Sequence, residues 1–257
     1  MKKLLLICLA AFAAASCTQE KQQSKPLYMW FDCEGNYATL SHPDSIRYYV
    51  SKIHDMGFTD VVVDVKSIMG ETLYKSDIAP YMGEWDGVTR PENYDLLGYF
   101  IEEGHKLGMR VHGSLNVFAG GHNFFDRGII YGDHADWQSQ VYTEGKIVPI
   151  SEIKSNYNGM LNPANPEVQE YELAILREFA EKYPDVDGIV FDRVRFDNIT
   201  SDFSPLSKEL FEAYAGTKVA NYPDDILRWT QTASGTGRKA RCSASGSNGA
   251  HRLSRTS

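Results

Sequence analysis

The chain has 257 residues, 42% hydrophobic and 23% charged, which is enough apolar material to bury one sizeable core. This balance excludes a disordered, collagen-like or disulfide-dense chain. A formal net charge of −8 argues against a nucleic-acid partner, which would select a basic face to displace counterions from phosphates.

The first residues read as an export signal. Lys2 and Lys3 precede an apolar run from Leu4 to Ala15 that is too short to span a bilayer. The run ends in Ala14-Ala15-Ser16-Cys17 and resembles a bacterial lipoprotein signal, which implies cleavage before Cys17 and acylation of that cysteine. The other reading is an ordinary secretory signal cleaved nearby; either takes the mature chain out of the cytoplasm. Residues 1–17 are then the signal and residues 18–26 a polar tether. The expected location is the cell envelope, lipid-anchored, at the outer membrane on its periplasmic or surface side. Cys8 leaves with the signal, so Cys33 and Cys242 remain, too few for a zinc site or a disulfide framework.

Leu27 to Asp32 (LYMWFD) is a short apolar run of strand type. Pro43, then Ile46, Tyr49, Val50 and Ile53, has helical spacing and stops at Gly57. Asp60 to Val65 (DVVVDV) is β-branched with little alternation, as in a strand covered on both faces. A second helix from near Asn93 carries Leu97, Phe100 and Ile101, and Met109 to Asn116 is the third strand. Residues 117–161 form a long irregular excursion, whose ordering cost implies a function. Asn165-Pro166-Glu167 combines a capping side chain, a first-turn proline and an acid at the positive end of the dipole. Asp187 to Asp192 (DGIVFD) is the fourth strand, and a helix follows over 204–215. Alternating strands and helices predict a parallel sheet with helices outside it. Residues 230–257 hold five basic residues and no acid, with Leu253 as the one large aliphatic side chain, and are expected to be a disordered or aberrant tail.

In each strand the polar residues gather at the C-terminal end, where a parallel α/β sheet builds its site. Asp32 and Glu34 follow the first strand, Asp64 and Lys66 close the second, and His112 and Asn116 belong to the third. Asp192, Arg193, Arg195 and Asp197 follow the fourth. Glycoside cleavage needs one carboxyl as proton donor and another as nucleophile or base, and these strand ends, with Glu71, supply candidates. Asp192 is the first choice for a catalytic carboxylate because a strand aims it rigidly; the alternative is a structural ion pair with Arg193 or Arg195. Tyr28, Trp30, Tyr74, Trp85 and Trp137 are either sugar-stacking faces or core. His122, Asp126, Asp133, His134 and Asp136 lack a compact ligand spacing, so no metal is expected, and no glycine-rich fingerprint calls for a cofactor.

Five stretches in order resemble the glycosyl hydrolase-like 10 family, relatives of the α-amylase-type barrels. They are Trp30 to Asp32, Met56 to Lys66, Glu103 to Asn116, Leu161 to Val168 and Asp187 to Phe196. The resemblance implies a (β/α)8 TIM barrel over residues 27–229 that acts on carbohydrate. It puts Asp192 at the place of the nucleophile and Asn116 at that of the asparagine ending strand three. Independently of the resemblance, the strand-end residues Asp32, Glu34, Asp64, Lys66, His112, Asn116, Arg193, Arg195 and Asp197 are the expected substrate-binding residues of the rim. Two positions depart from those relatives, Val190 replacing an arginine and His112 an aspartate. Only about four βα units are legible, with no fifth strand to carry the proton donor. The expectation is therefore an N-terminal half-barrel, truncated and inactive as given. The function expected is glycoside hydrolysis, and the alternative is a non-catalytic glycan-binding envelope lipoprotein.

Overall fold

The computed structural model describes residues 25–226, 228–231 and 237–241. The signal with Cys17, most of the tether and most of the basic tail lie outside the described residues. Four strands, β1 (Tyr28–Phe31), β2 (Asp60–Lys66), β3 (Arg110–Asn116) and β4 (Gly188–Asp192), form one sheet. Every neighbouring pair is parallel and the spatial order follows the chain order. Helices α1 (Pro43–Asp55), α2 (Leu96–Lys106), α3 (Pro166–Lys182) and α4 (Pro205–Ala215) follow the four strands in turn.

The helix starts are local chemistry. Pro43 opens α1, and Asn165 caps α3 by accepting the Glu167 N–H at 2.9 Å. Ser204 caps α4 by accepting the Ser207 N–H at 3.2 Å. Helix α2 begins later than the expected Asn93, because the Asp95 carboxylate takes the free N–H of Gly98 at 3.0 Å.

Side-chain alternation along the strands sorts the sheet into two faces. Val61, Val63 and Val65 of β2 and Val111 and Leu115 of β3 pack with Ile46 and Val50 of α1, Phe100 of α2 and Phe179 of α3. Gly113 of β3 lies on that face because Phe179 presses on the backbone there; a Cβ would collide with the ring. The opposite face carries Tyr28 and Trp30 of β1, Asp60, Val62 and Asp64 of β2, and Ser114 and Asn116 of β3, in parallel register.

The excursion between β3 and α3 is more regular than its composition predicts. Ala119–His122 pairs antiparallel with Asn158–Met160, and Gln140–Thr143 with Lys146–Pro149. Its own buried side chains, Ile129, Ile130, Trp137 and Ile150, hold these ribbons together. Beyond α4, Arg228–Gln231 and Gly237–Arg241 pair antiparallel.

Candidate active site at the strand ends

Two features of the sheet set the site. The first is a bulge at the end of β2: Asp64 faces Ser114, but Lys66 faces Leu115, so one residue is extra. The bulge turns Lys66 onto the helix side of the sheet. There it is 0% exposed, its ammonium 2.9 Å from Glu172 of α3 and hydrogen-bonded to the carbonyls of Asn116 (3.1 Å) and Val117 (2.7 Å). Burial lowers the Lys66 pKa and raises that of Glu172, each partly offset by the other. Simple alternation would put Lys66 beside Asp64 at the rim; the bulge corrects that expectation.

The second feature is the pocket that Asp64 occupies. It is 6% exposed, and its Oδ1 accepts the indole N–H of Trp30 at 2.8 Å. Burial pushes the carboxyl up to about 7; the Trp30 hydrogen bond pulls it down, and Asp32 and Glu34 push it up again. A carboxylic acid that keeps its proton into neutral pH can donate it. Glu34 is also raised by burial, though the Cys33 thiol donates to it at 2.8 Å and the Ile68 N–H at 3.2 Å. Cys33 is a small buried side chain whose thiol is raised by burial and by these acids. Asp32, exposed, accepts the Gly35 N–H at 2.5 Å.

At the other side of the rim Asp192 of β4 pairs in register with Asn116 of β3. Asp192 is half-buried, and its Oδ1 accepts the Arg193 N–H at 2.7 Å. Arg193 adopts a left-handed backbone (φ 54°), which is costly for a residue with a side chain and turns the chain sharply past the strand end. Its guanidinium donates to Asn116 Oδ1 and to the Tyr157 hydroxyl, each at 2.9 Å. Asn116 is itself fixed by donating to the Lys66 carbonyl at 2.9 Å. Among the described residues no cation forms an ion pair with Asp192, so the purely structural reading of that carboxylate lacks its partner.

Asp32, Glu34, Asp64, Asn116, Asp192 and Arg193 thus share the C-terminal end of the sheet, whereas four further candidates lie elsewhere or are held by other partners. His112 is the third residue of β3, not its end; its ring meets Asp60 Oδ1 at 2.7 Å. Asp60 opens β2, is 0% exposed and also binds Arg110 at 2.8 Å, so this cluster ties the N-terminal end of the sheet. Arg195 donates to the carbonyls of Phe196 (3.1 Å) and Asp197 (2.7 Å) in its own loop. Asp197 accepts from Asn156 (3.0 Å) and Asn158 (3.2 Å), fastening that loop to the excursion. Glu71 is held by Arg127 at 3.1 and 2.7 Å.

Among the aromatic candidates, Tyr74 and Trp137 are core, while Trp30 (46% exposed) and Tyr28 lie open on the inner face. Tyr157 was not foreseen; nothing local marks it, since its partner Arg193 is 36 residues away. His134 stacks on Trp137 at 3.7 Å while His122 lies in a separate aromatic cluster, and among the described residues no three metal-ligating side chains converge. A cleft of about 540 Å³ between Asp77, Ile129, His134 and Tyr171 shares none of the strand-end residues.

An S-layer-related protein of Niallia circulans is 32% identical over 218 residues, 80% of this chain and 13% of that protein. Glycosyl hydrolase DigH of Escherichia coli K12 is 29% identical over 151 residues, 53% of this chain and 31% of that protein. The chain therefore spans less than a third of the length of these relatives. α-L-Fucosidase isoenzyme 2 of Paenibacillus thiaminolyticus superposes with a TM-score of 0.51 at 16% identity, covering 77% of this chain and 27% of that one; it shares the α/β fold of TIM-barrel glycosidases. The family model described as Glycosyl hydrolase-like 10 matches residues 29–235, and the chain belongs to that family.

Proposed function

We propose that the strand-end site binds carbohydrate and hydrolyses glycosidic bonds. Asp192 is the group that attacks or activates water, and Asp64 is the carboxyl that carries the proton. One observation carries this reading: two strand-borne carboxyls at one end of the sheet lie in unlike surroundings. Asp64 is buried with the Trp30 indole N–H on its Oδ1, and Asp192 is half-buried beside Arg193. Such a division of environments separates an acid from a base on one fold. Asn116 and Arg193, locked to each other, would hold substrate hydroxyls between the two carboxyls. The chain-order parallel pairing supports reading the four βα units as successive units of a (β/α)8 barrel, whose C-terminal face carries the chemistry.

The test is release of reducing ends from a panel of polysaccharides by wild type, Asp192→Asn and Asp64→Asn. Each substitution is expected to cut kcat by about 10²–10⁴-fold. Either variant cleaving like wild type refutes the role of that residue. Glycan binding by wild type without cleavage of any polysaccharide would favour a lectin-like envelope protein, a reading that Val190 supports where the amylase-type relatives carry arginine.

The same proposal includes anchoring at the cell envelope by lipid on Cys17, supported by the Ala14-Ala15-Ser16-Cys17 run. Cys17→Ala should abolish labelling by a radiolabelled fatty acid and move the protein out of the membrane fraction. Unchanged labelling and fractionation would refute it.

A further inference from the structure

An aromatic cluster stands beside the strand-end site. His122 is its centre, with ring centroids of Phe125 at 4.5 Å, Phe124 at 5.6 Å, Tyr157 at 5.7 Å and Trp85 at 6.1 Å. Trp85 and Phe125 meet edge to face at 5.3 Å. Rings so clustered ordinarily form a core, yet Phe124 is 58% exposed, Phe125 61% and Tyr157 41%. A contiguous exposed aromatic patch in a folded domain marks a ligand or partner surface.

The surroundings identify the occupant. Tyr157 accepts a hydrogen bond from Arg193, which also holds Asn116, so the patch continues directly from the strand-end rim. Guanidinium groups border both ends, Arg193 over Tyr157 at 5.7 Å and Arg127 over Trp85 at 5.5 Å. The patch is therefore flat aromatic faces bordered by guanidinium groups, Arg193 held by Asn116 and Tyr157 and Arg127 by Glu71. A pyranose ring has the matching character, a C–H face and a rim of hydroxyl acceptors. The patch runs on from the rim at which the glycan reading places the scissile unit, so a further ring of the same chain is the occupant that its position favours.

We propose that Phe124, Phe125, Tyr157 and Trp85 form a stacking subsite for further pyranose rings of an extended glycan whose scissile unit lies at Asp192. The inference rests on the glycan reading of the strand-end site and adds that the protein prefers chains to short oligosaccharides. Phe124, Phe125 and Tyr157 closely follow or precede the paired strands Ala119–His122 and Asn158–Met160. The Asn123 N–H donates to the Tyr157 carbonyl at 2.7 Å, so the backbone under these three rings is fixed and less ordering entropy opposes binding.

The experiment is calorimetry and turnover on cello-, xylo- and chito-oligosaccharides from disaccharide to hexasaccharide. Wild type should gain affinity with length. The double variant Phe124→Ala/Phe125→Ala should lose about tenfold or more in hexasaccharide affinity and flatten that gain. Phe124→Trp/Phe125→Trp, which keeps the flat faces, should retain it. Cleavage by wild type with a length gain untouched in the alanine variant overturns the platform and leaves hydrolysis standing. A length gain that depends on the two phenylalanines, without cleavage, supports the platform and overturns hydrolysis. No affinity at any length, with self-association that Phe124→Ala/Phe125→Ala abolishes, overturns the platform in favour of a contact between copies.

Discussion

Replacing Asp64 by asparagine removes one titrating proton while keeping an oxygen to accept the Trp30 indole N–H, now 2.8 Å from Asp64 Oδ1. In the folded chain the carboxyl is pushed up to about 7 from an ordinary 3.8. Between those values the native state holds a proton that the unfolded chain has released. The native state therefore loses stability as pH rises through this window, and the loss is complete above it. At 1.36 kcal/mol per unit, a shift of about three units amounts to at most about 4 kcal/mol. Glu34, also raised by burial, is present in both proteins and largely cancels from their difference. The expectation is that Asp64→Asn matches wild type in stability near pH 4 and exceeds it by up to about 4 kcal/mol near pH 8. Urea unfolding of both proteins at several pH values measures this directly. A difference that stays flat with pH, or a wild type that gains on the variant as pH rises, would refute the reasoning.

The same proton should appear in catalysis: kcat/KM for glycan cleavage is expected to fall as pH rises past about 7, and a rate that stays level into alkaline pH removes Asp64 as proton donor. Lys66→Met strands Glu172 in the interior and should cost about 3–5 kcal/mol, whereas Lys66→Met/Glu172→Leu should recover most of it. Chemical denaturation decides, and a single variant within about 1 kcal/mol of wild type would show that the pair carries no such penalty. Gly113→Ala forces a methyl into the Phe179 ring and should cost about 1–3 kcal/mol, less when Phe179 is Leu; equal costs in both backgrounds would count against that contact.

The element boundaries were legible because their signals lie within a few residues. Pro43, Asn165-Pro166 and Ser204 satisfy free N–H groups or supply the first-turn φ locally, and Asp60 to Val65 has the β-branched character of a doubly covered strand. The gathering of Asp32, Asp64, Asn116 and Asp192 at one end followed from that, since parallel strands all deliver their C-terminal residues to the same side. The excursion was less legible, because one of its ribbons pairs residues about forty positions apart and its Gly, His, Asn and Asp content reads as loop.

Four features of the site depended on contacts that no local pattern encodes. The bulge at the end of β2 depends on how β2 sits against β3, and it moved Lys66 from the rim to an ion pair with Glu172. His112 was drawn to Asp60 because that buried carboxylate needs hydrogen-bond donors, which a strand read in isolation does not reveal. The raised pKa of Asp64 comes from its burial, and the aromatic cluster joins the rim through Tyr157 meeting Arg193 across two loops. Periodicity in the chain determined which residues could share a face. Register, burial and long-range pairing decided which of them met, because those energies exist only once distant segments are in contact.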